Sequence, residues 1–427
     1  MTVAALTARR EQALGAGAQL FYRTPLHIVR GEGAYLFDAD GRRYVDMYNN
    51  VPCVGHANPD VVEAMARQQA TLNVNNRYLH EGVLAFAERL AALHGPQVES
   101  VIFSCSGTEA NEVALRMARF ATGKRGIVFT DATYHGNSDL VSQLTRVSAA
   151  QPANPELCAI PFPQMYRPLE AGLSEAELCE AYLERLRGAI GDLERDGGGL
   201  AALIVCSIFA NEGLPNVPRG FMGRAAEIVR AAGGLVIADE VQAGYGRTGG
   251  WWGYDVTGFT PDIVVTGKPM GNGLPLAATA ASRALVEGFR VRTHYFNTFA
   301  SSPLQAAVGM AVLDVIDRDG LIANVAAVGG ALKRALAERK PRWDAIGDVR
   351  GHGLFLGVEI VKDGESKTPD PAMAAEFANR LKDRGFLTAP AGADRNVLKI
   401  RPPLVFSQAD AEAFLVAFDT TVAELHG

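Results

Sequence analysis

The feature that most limits the fold is a series of short segments that are apolar almost from end to end, most of them set apart by helix-like stretches. These are residues 101–105, 126–130, 201–209, 235–239 and 263–266, with helical patterns such as 109–120 and 223–232 between them. A strand apolar on both of its faces has to be covered on both, which calls for a mostly parallel sheet sandwiched between helices, an α/β fold. The two ends of the chain read differently. Residues 31–41 alternate into an Asp40-Gly41 turn and 43–47 return, a hairpin, before a helix over 59–73. Beyond about residue 305, long Ala/Leu/Val-rich helices lead to strand character over 349–361, a helix over 372–384 and a strand over 397–400. The chain therefore divides into a large α/β domain over 61–305 and a smaller α+β domain assembled from 1–60 and 306–427. Its 427 residues, 48% of them hydrophobic, suffice for both cores.

The net charge of −6 argues against a nucleic-acid partner but leaves room for a local anion pocket. Apolar runs of about 18 residues are missing, so no membrane span is expected. The first 20 residues, with Arg9, Arg10 and Glu11, read as an amphipathic helix and not as a signal peptide. Five cysteines, odd in number and never spaced C-x-x-C, predict neither a disulfide framework nor a metal site, and a cytoplasmic location.

Three clusters carry chemistry. In Ser106-Gly107-Thr108-Glu109-Ala110-Asn111 a strand turns into a helix, where free backbone N–H groups and the positive end of the helix dipole suit a phosphate; Ser106 or Thr108 could equally be a plain N-cap. Asp239 and Glu240 follow directly on an apolar strand, at the end where open α/β sheets bind ligands, although a structural salt bridge would also explain them. Lys268, hemmed by Gly267, Gly271 and Gly273, is either a surface lysine or a partly desolvated amine nucleophile. Together an amine, a carboxylate and a phosphate cradle meet the three needs of pyridoxal 5'-phosphate (PLP).

With Tyr134-His135-Gly136, Gly244-x-Gly246-Arg247-Thr248-Gly249, Asn297-Thr298-Phe299 and Arg401-Pro402-Pro403-Leu404 added, the sequence resembles the class III aminotransferases of PLP fold type I, from about residue 25 to 406. The resemblance implies a mostly parallel seven-stranded sheet in the large domain. It implies that Lys268 forms the Schiff base and moves the proton, and that Asp239 keeps the pyridine nitrogen protonated. Tyr134 would cover the ring, Gln242 would bond the ring oxygen, and Ser106, Gly107 and Thr108 would hold the phosphate. It further implies a homodimer, or a dimer of dimers, in which Thr298 reaches the neighbouring active site. His135 is as well explained by packing as by catalysis.

The chain departs from the family's glutamate-using members, which carry a second Glu that pairs with a movable arginine. Here the two Glu positions are Cys206 and Asn211, and the arginine position is Lys399, with Arg401 two residues on; Glu212 could serve only through a one-residue shift. The stretches 50–56, 75–80 and 397–403 look instead like the phospho-lyases of ethanolamine phosphate and phosphohydroxylysine. Arg77, Lys399 and Arg401 are then candidates to bind the leaving phosphate of a small amine substrate, each also explicable as a structural ion pair. Elimination ranks first, transamination of an ω-amine or amino acid to a keto acid second, and racemase, aminomutase or decarboxylase chemistry third.

Overall fold

The computed structural model describes residues 2–145, 154–195 and 198–426. Its centre is a seven-stranded sheet in the order Ser100–Ser104, Ala277–Ala281, Ile263–Thr266, Leu235–Asp239, Leu200–Cys206, Gly126–Thr130, Leu157–Ile160. Ala277–Ala281 runs antiparallel to both neighbours; the other pairings are parallel. Successive residues feed two separate cores, as the strand period of two requires. Ile127, Phe129, Ile204, Ile237, Ile263 and Val265 pack on one face with Val113, Leu115 and Met117 of helix Gly107–Thr122. Val128, Leu203, Val205, Val236 and Val264 pack on the other with Leu183 and Leu186 of helix Glu175–Arg195.

Two smaller sheets lie in the rest of the chain. Strands Ile28–Glu32, Tyr35–Asp38 and Arg43–Asp46 are joined by Phe386–Leu387, which pairs in parallel with Val45 and Asp46. Strands Ile346–His352, Phe355–Ile360, Val397–Ile400 and Ala389–Ala391 form an antiparallel sheet.

Several expectations are adjusted. The strand expected over 201–209 is Leu200–Cys206, because Phe209 takes φ 52° and its N–H closes a turn onto the Cys206 carbonyl. Residues 349–361 hold two strands, parted by the turn at Gly353 (φ 54°). Strand Ala277–Ala281 escaped the sequence reading because alanine is a poor strand former. Small side chains suit it nonetheless, since helix Gly107–Thr122 packs close and Thr279 Oγ1 donates to the Ala110 carbonyl at 2.7 Å. Helix Val3–Leu14, expected to be amphipathic, has no fully buried residue. No helix among the described residues is long and apolar enough to cross a membrane.

One buried histidine makes the core acid-sensitive. The His94 ring stacks on Trp252 at 4.1 Å, with Nδ1 3.0 Å from the Tyr254 hydroxyl, and burial pushes its pKa down from 6.5 to about 3. Between those values the unfolded chain holds the extra proton, so stability falls as pH drops through that window. His94→Phe is expected to lose about 2 kcal/mol less than the wild type between pH 7 and pH 5, read from denaturant midpoints. Equal losses would place the sensitivity elsewhere.

Candidate active site

The C-terminal ends of the parallel strands converge on one cavity of about 100 Å³, lined by Gly107, Thr108, Tyr134, His135, Gly136, Cys206, Asp239, Val241, Gln242 and Lys268. This is where an open α/β sheet leaves backbone and side chains unobstructed. Cys206 and Asp239 are partners in register at adjacent strand ends. Lys268 starts a short 3₁₀ turn just past Thr266, with Pro269 stopping the strand from continuing. Its pKa is lowered, chiefly by burial and next by the Arg401 charge, against the opposing pull of Asp239 and Cys206. Among the described residues no hydrogen bond or ion pair holds its ammonium.

Asp239 is held on both oxygens. Oδ2 lies 2.6 Å from His135 Nδ1 and accepts from Asn111 Nδ2 at 3.0 Å, while Oδ1 accepts from the Val241 N–H at 3.0 Å. His135 is itself fixed by Thr133 Oγ1, 3.0 Å from Nε2. The neighbouring acid plays another part. Fully buried Glu240 accepts from the N–H groups of Gly253 (2.8 Å) and Tyr254 (2.9 Å), and burial pushes its pKa up to about 7. Neither acid is in a salt bridge to lysine or arginine among the described residues.

At the phosphate cradle, Ser106 is the N-cap: its Oγ accepts from the Glu109 N–H at 3.2 Å, and Glu109 Oε2 reaches back to the Cys105 N–H at 2.9 Å. This reciprocal cap satisfies two donors and leaves Gly107 and Thr108 at the cavity wall, at the positive end of a 16-residue helix. Asn111 lies one turn further along the helix, which is why it meets Asp239.

Gln242 lines the cavity, but its side chain is engaged elsewhere. Its Oε1 accepts from Arg401 Nη1, and its Nε2 donates to Asn211 Oδ1 at 3.0 Å. Asn211 in turn donates to the Tyr134 carbonyl at 3.1 Å, while the Tyr134 hydroxyl donates to Asn137 at 2.7 Å. Arg401 donates twice more to the Tyr48 carbonyl, from Nε at 3.0 Å and Nη2 at 2.9 Å. Glu212 does not reach it: Oε1 accepts from Thr130 Oγ1 at 2.5 Å and Oε2 has no partner. The glutamate–arginine pair of the glutamate-using members is therefore absent from this site. Lys399 is buried beside Arg401, its pKa pushed down to about 7 by burial first and then by Arg401.

Five expected residues do not line the cavity: Ser106, which caps the helix beside it, the buried pair Lys399 and Arg401, and two exposed residues. Arg77 is exposed, its guanidinium 4.3 Å over the Phe296 ring, and Thr298 is exposed in the same region. Asn111 and Thr130 were not assigned roles from the sequence, although Asn111 carried a signal in its place in the cradle motif; Glu240 and Glu212 were singled out there, but not for the bonds they make here. The donor set fits PLP: two helix-terminal residues beside an unpartnered lysine, and a carboxylate already fixed by two side chains.

The comparisons agree with this geometry. The model of the family "Aminotransferase class-III" matches residues 18–422. A Drosophila melanogaster protein named "Alanine--glyoxylate aminotransferase 2-like" is 36% identical over 419 residues, 96% of this chain and 85% of that protein. "Ethanolamine-phosphate phospho-lyase homolog 1" of Caenorhabditis elegans is 32% identical over 429 residues, 96% of this chain and 91% of that one. The solved structure of a phospholyase from Arthrobacter in complex with phosphoethanolamine superposes with a TM-score of 0.95 at 39% identity, covering 98% of this chain and 99% of that chain. A family match over nearly the full length, on a seven-stranded sheet with lysine and aspartate at its strand ends, makes this chain a member of the PLP-dependent class III aminotransferase family.

Proposed function

We propose that this enzyme is a PLP-dependent phospho-lyase that eliminates phosphate and ammonia from a phosphorylated primary amine such as ethanolamine phosphate. The observation that carries this reading is the pair Lys399 and Arg401, two buried cations side by side next to the cavity, neither hydrogen-bonded to a carboxylate among the described residues. Buried charge of one sign without a bonded counter-ion is a site for an anion. The named Caenorhabditis and Arthrobacter proteins support the same reading.

PLP, when bound, supplies the electron sink next to the amine nitrogen. Gly107 and Thr108 would hold its phosphate, Tyr134 its ring face and Asp239 its ring nitrogen, with His135 and Asn111 keeping that carboxylate in place. Lys268 takes the proton from the amine-bearing carbon, and burial, which lowers its pKa, favours the neutral amine that this needs. Thr298 would serve the neighbouring site of a homodimer: Tyr78, Leu79 and Phe299, 68%, 95% and 75% exposed, supply apolar surface for a second copy. The free cysteines, among them buried Cys53, Cys179 and Cys206, accord with a reducing cytoplasm.

Transamination is the second reading, favoured by the Drosophila relative. It needs a group to grip a keto acid's carboxylate, and the position of the family's movable arginine is held by Lys399, which lacks the bidentate fork of a guanidinium. The deciding assay supplies the PLP-loaded enzyme with ethanolamine phosphate and no keto acid. Equal amounts of phosphate, ammonia and acetaldehyde are expected. Alanine formed from pyruvate and an ω-amine, with no phosphate released, would establish the transaminase instead.

A further inference from the structure

Lys399, on strand Val397–Ile400, and Arg401, the residue just past it, lie two apart and so point to the same side. Both reach toward the Phe355 ring, at 5.7 Å and 5.2 Å. Their surroundings set them apart. Arg401 is fixed by Tyr48 and Gln242 and is a permanent charge. Lys399 is 4% exposed, and no hydrogen bond or ion pair holds it among the described residues. Its partners in register are Gly357 and Ala389, so neither adjacent strand sets a large side chain beside it. The charged and titratable groups that face it are Arg401 beyond its own strand, Lys268 across the site, Cys206 at its strand end and Glu212 on the following turn.

We infer that Lys399 is the acid that protonates the departing phosphate, a role that rests on the phospho-lyase reading above. An alkyl phosphate dianion would leave as the phosphate trianion unless a proton reaches it as the C–O bond breaks, and delivery to the bridging oxygen meets that need. Lys268 removes the proton from the amine-bearing carbon, and the electron pair left behind becomes the new C=C bond. The C–O bond breaks with its pair going to oxygen, and the Lys399 ammonium gives that oxygen a proton. Lys399 ends neutral and Lys268 protonated. Arg401 balances the phosphate charge throughout. Glu212, anchored on Thr130 with its second oxygen unpartnered, is the carboxyl group facing Lys399. A lysine titrating near neutrality is matched to this transfer.

The test compares PLP-loaded wild type, Lys399→Arg and Lys399→Met on two substrates. Both variants are expected to slow phosphate release from ethanolamine phosphate by roughly 10²-fold or more. Both should keep exchange of the substrate's amine-bearing C–H in D₂O, followed by NMR, and chloride release from 2-chloroethylamine, whose leaving group needs no proton. Lys399→Arg should also retain affinity for inorganic phosphate by calorimetry, since it keeps the charge. In the wild type, phosphate release should decline above neutral pH, where Lys399 loses its proton, while chloride release should not decline there. Wild-type phosphate release by Lys399→Arg would overturn the role, because charge alone would then suffice. Equal loss of both eliminations and of C–H exchange in both variants would make Lys399 a scaffold residue. Exchange without any phosphate release by the wild type would sink the phospho-lyase reading itself.

Discussion

Lys268→Ala is expected to lower turnover of any amine substrate by at least about 10⁴-fold, the upper range for one group acting in proton transfer. Two losses coincide in this variant: the amine that links the cofactor and the base that takes the substrate proton. The cavity gains space and no buried charge is stranded, because no ion pair or hydrogen bond holds the Lys268 ammonium among the described residues. The protein should therefore fold and keep a melting temperature near that of the wild type. Borohydride treatment followed by peptide mass spectrometry should find the cofactor's mass on the peptide containing residue 268 in the wild type and on no peptide in the variant. A variant that turns over at even a hundredth of the wild-type rate would remove Lys268 from the centre of the reaction.

Asp239→Asn should cost roughly 10²–10³-fold in kcat while the cofactor stays bound, the scale for one preorganised electrostatic contact. The amide preserves the shape but replaces one carboxylate oxygen with a donor, which either faces the Asn111 amide and the His135 ring or faces the cofactor. The phosphate cradle at Gly107 and Thr108 belongs to a different element and is untouched. KM should thus move far less than kcat. His135→Phe removes one of the two side-chain contacts to Asp239 and should fall between wild type and Asp239→Asn. A His135→Phe variant slower than Asp239→Asn would show that the histidine does more than position the carboxylate.

What the sequence disclosed about this site follows from the sheet. Parallel strands end abruptly at one edge, so Asp239 and Lys268 announce themselves as the first charged groups after apolar runs. The Ser106 cap is equally local, with Glu109 three residues on completing it. The links that decide how side chains are occupied are not local. Gln242 is taken up by Arg401, far along the chain, and nothing near residue 242 signals that partner. Glu212, on the turn after Leu200–Cys206, meets Thr130 because that strand neighbours Gly126–Thr130 in the sheet. Arg77 and Thr298 carry no such positional mark and sit on the outer face. Strand Ala277–Ala281 was hidden because its alanines are chosen by the helix above it and not by strand preference.

The parallel pairing of Phe386–Leu387 with Val45–Asp46 bears on how the chain is made. Roughly 340 residues separate the two halves of that contact, so at about 5–20 residues per second the first strands wait on the order of 20–70 s for their partner to leave the ribosome. Throughout that interval Arg43–Asp46 has an open hydrogen-bonding edge, the kind of surface on which a second nascent chain can pair. That sheet thus closes only late in synthesis, and the enzyme's yield in a cell depends on what shields that edge until then.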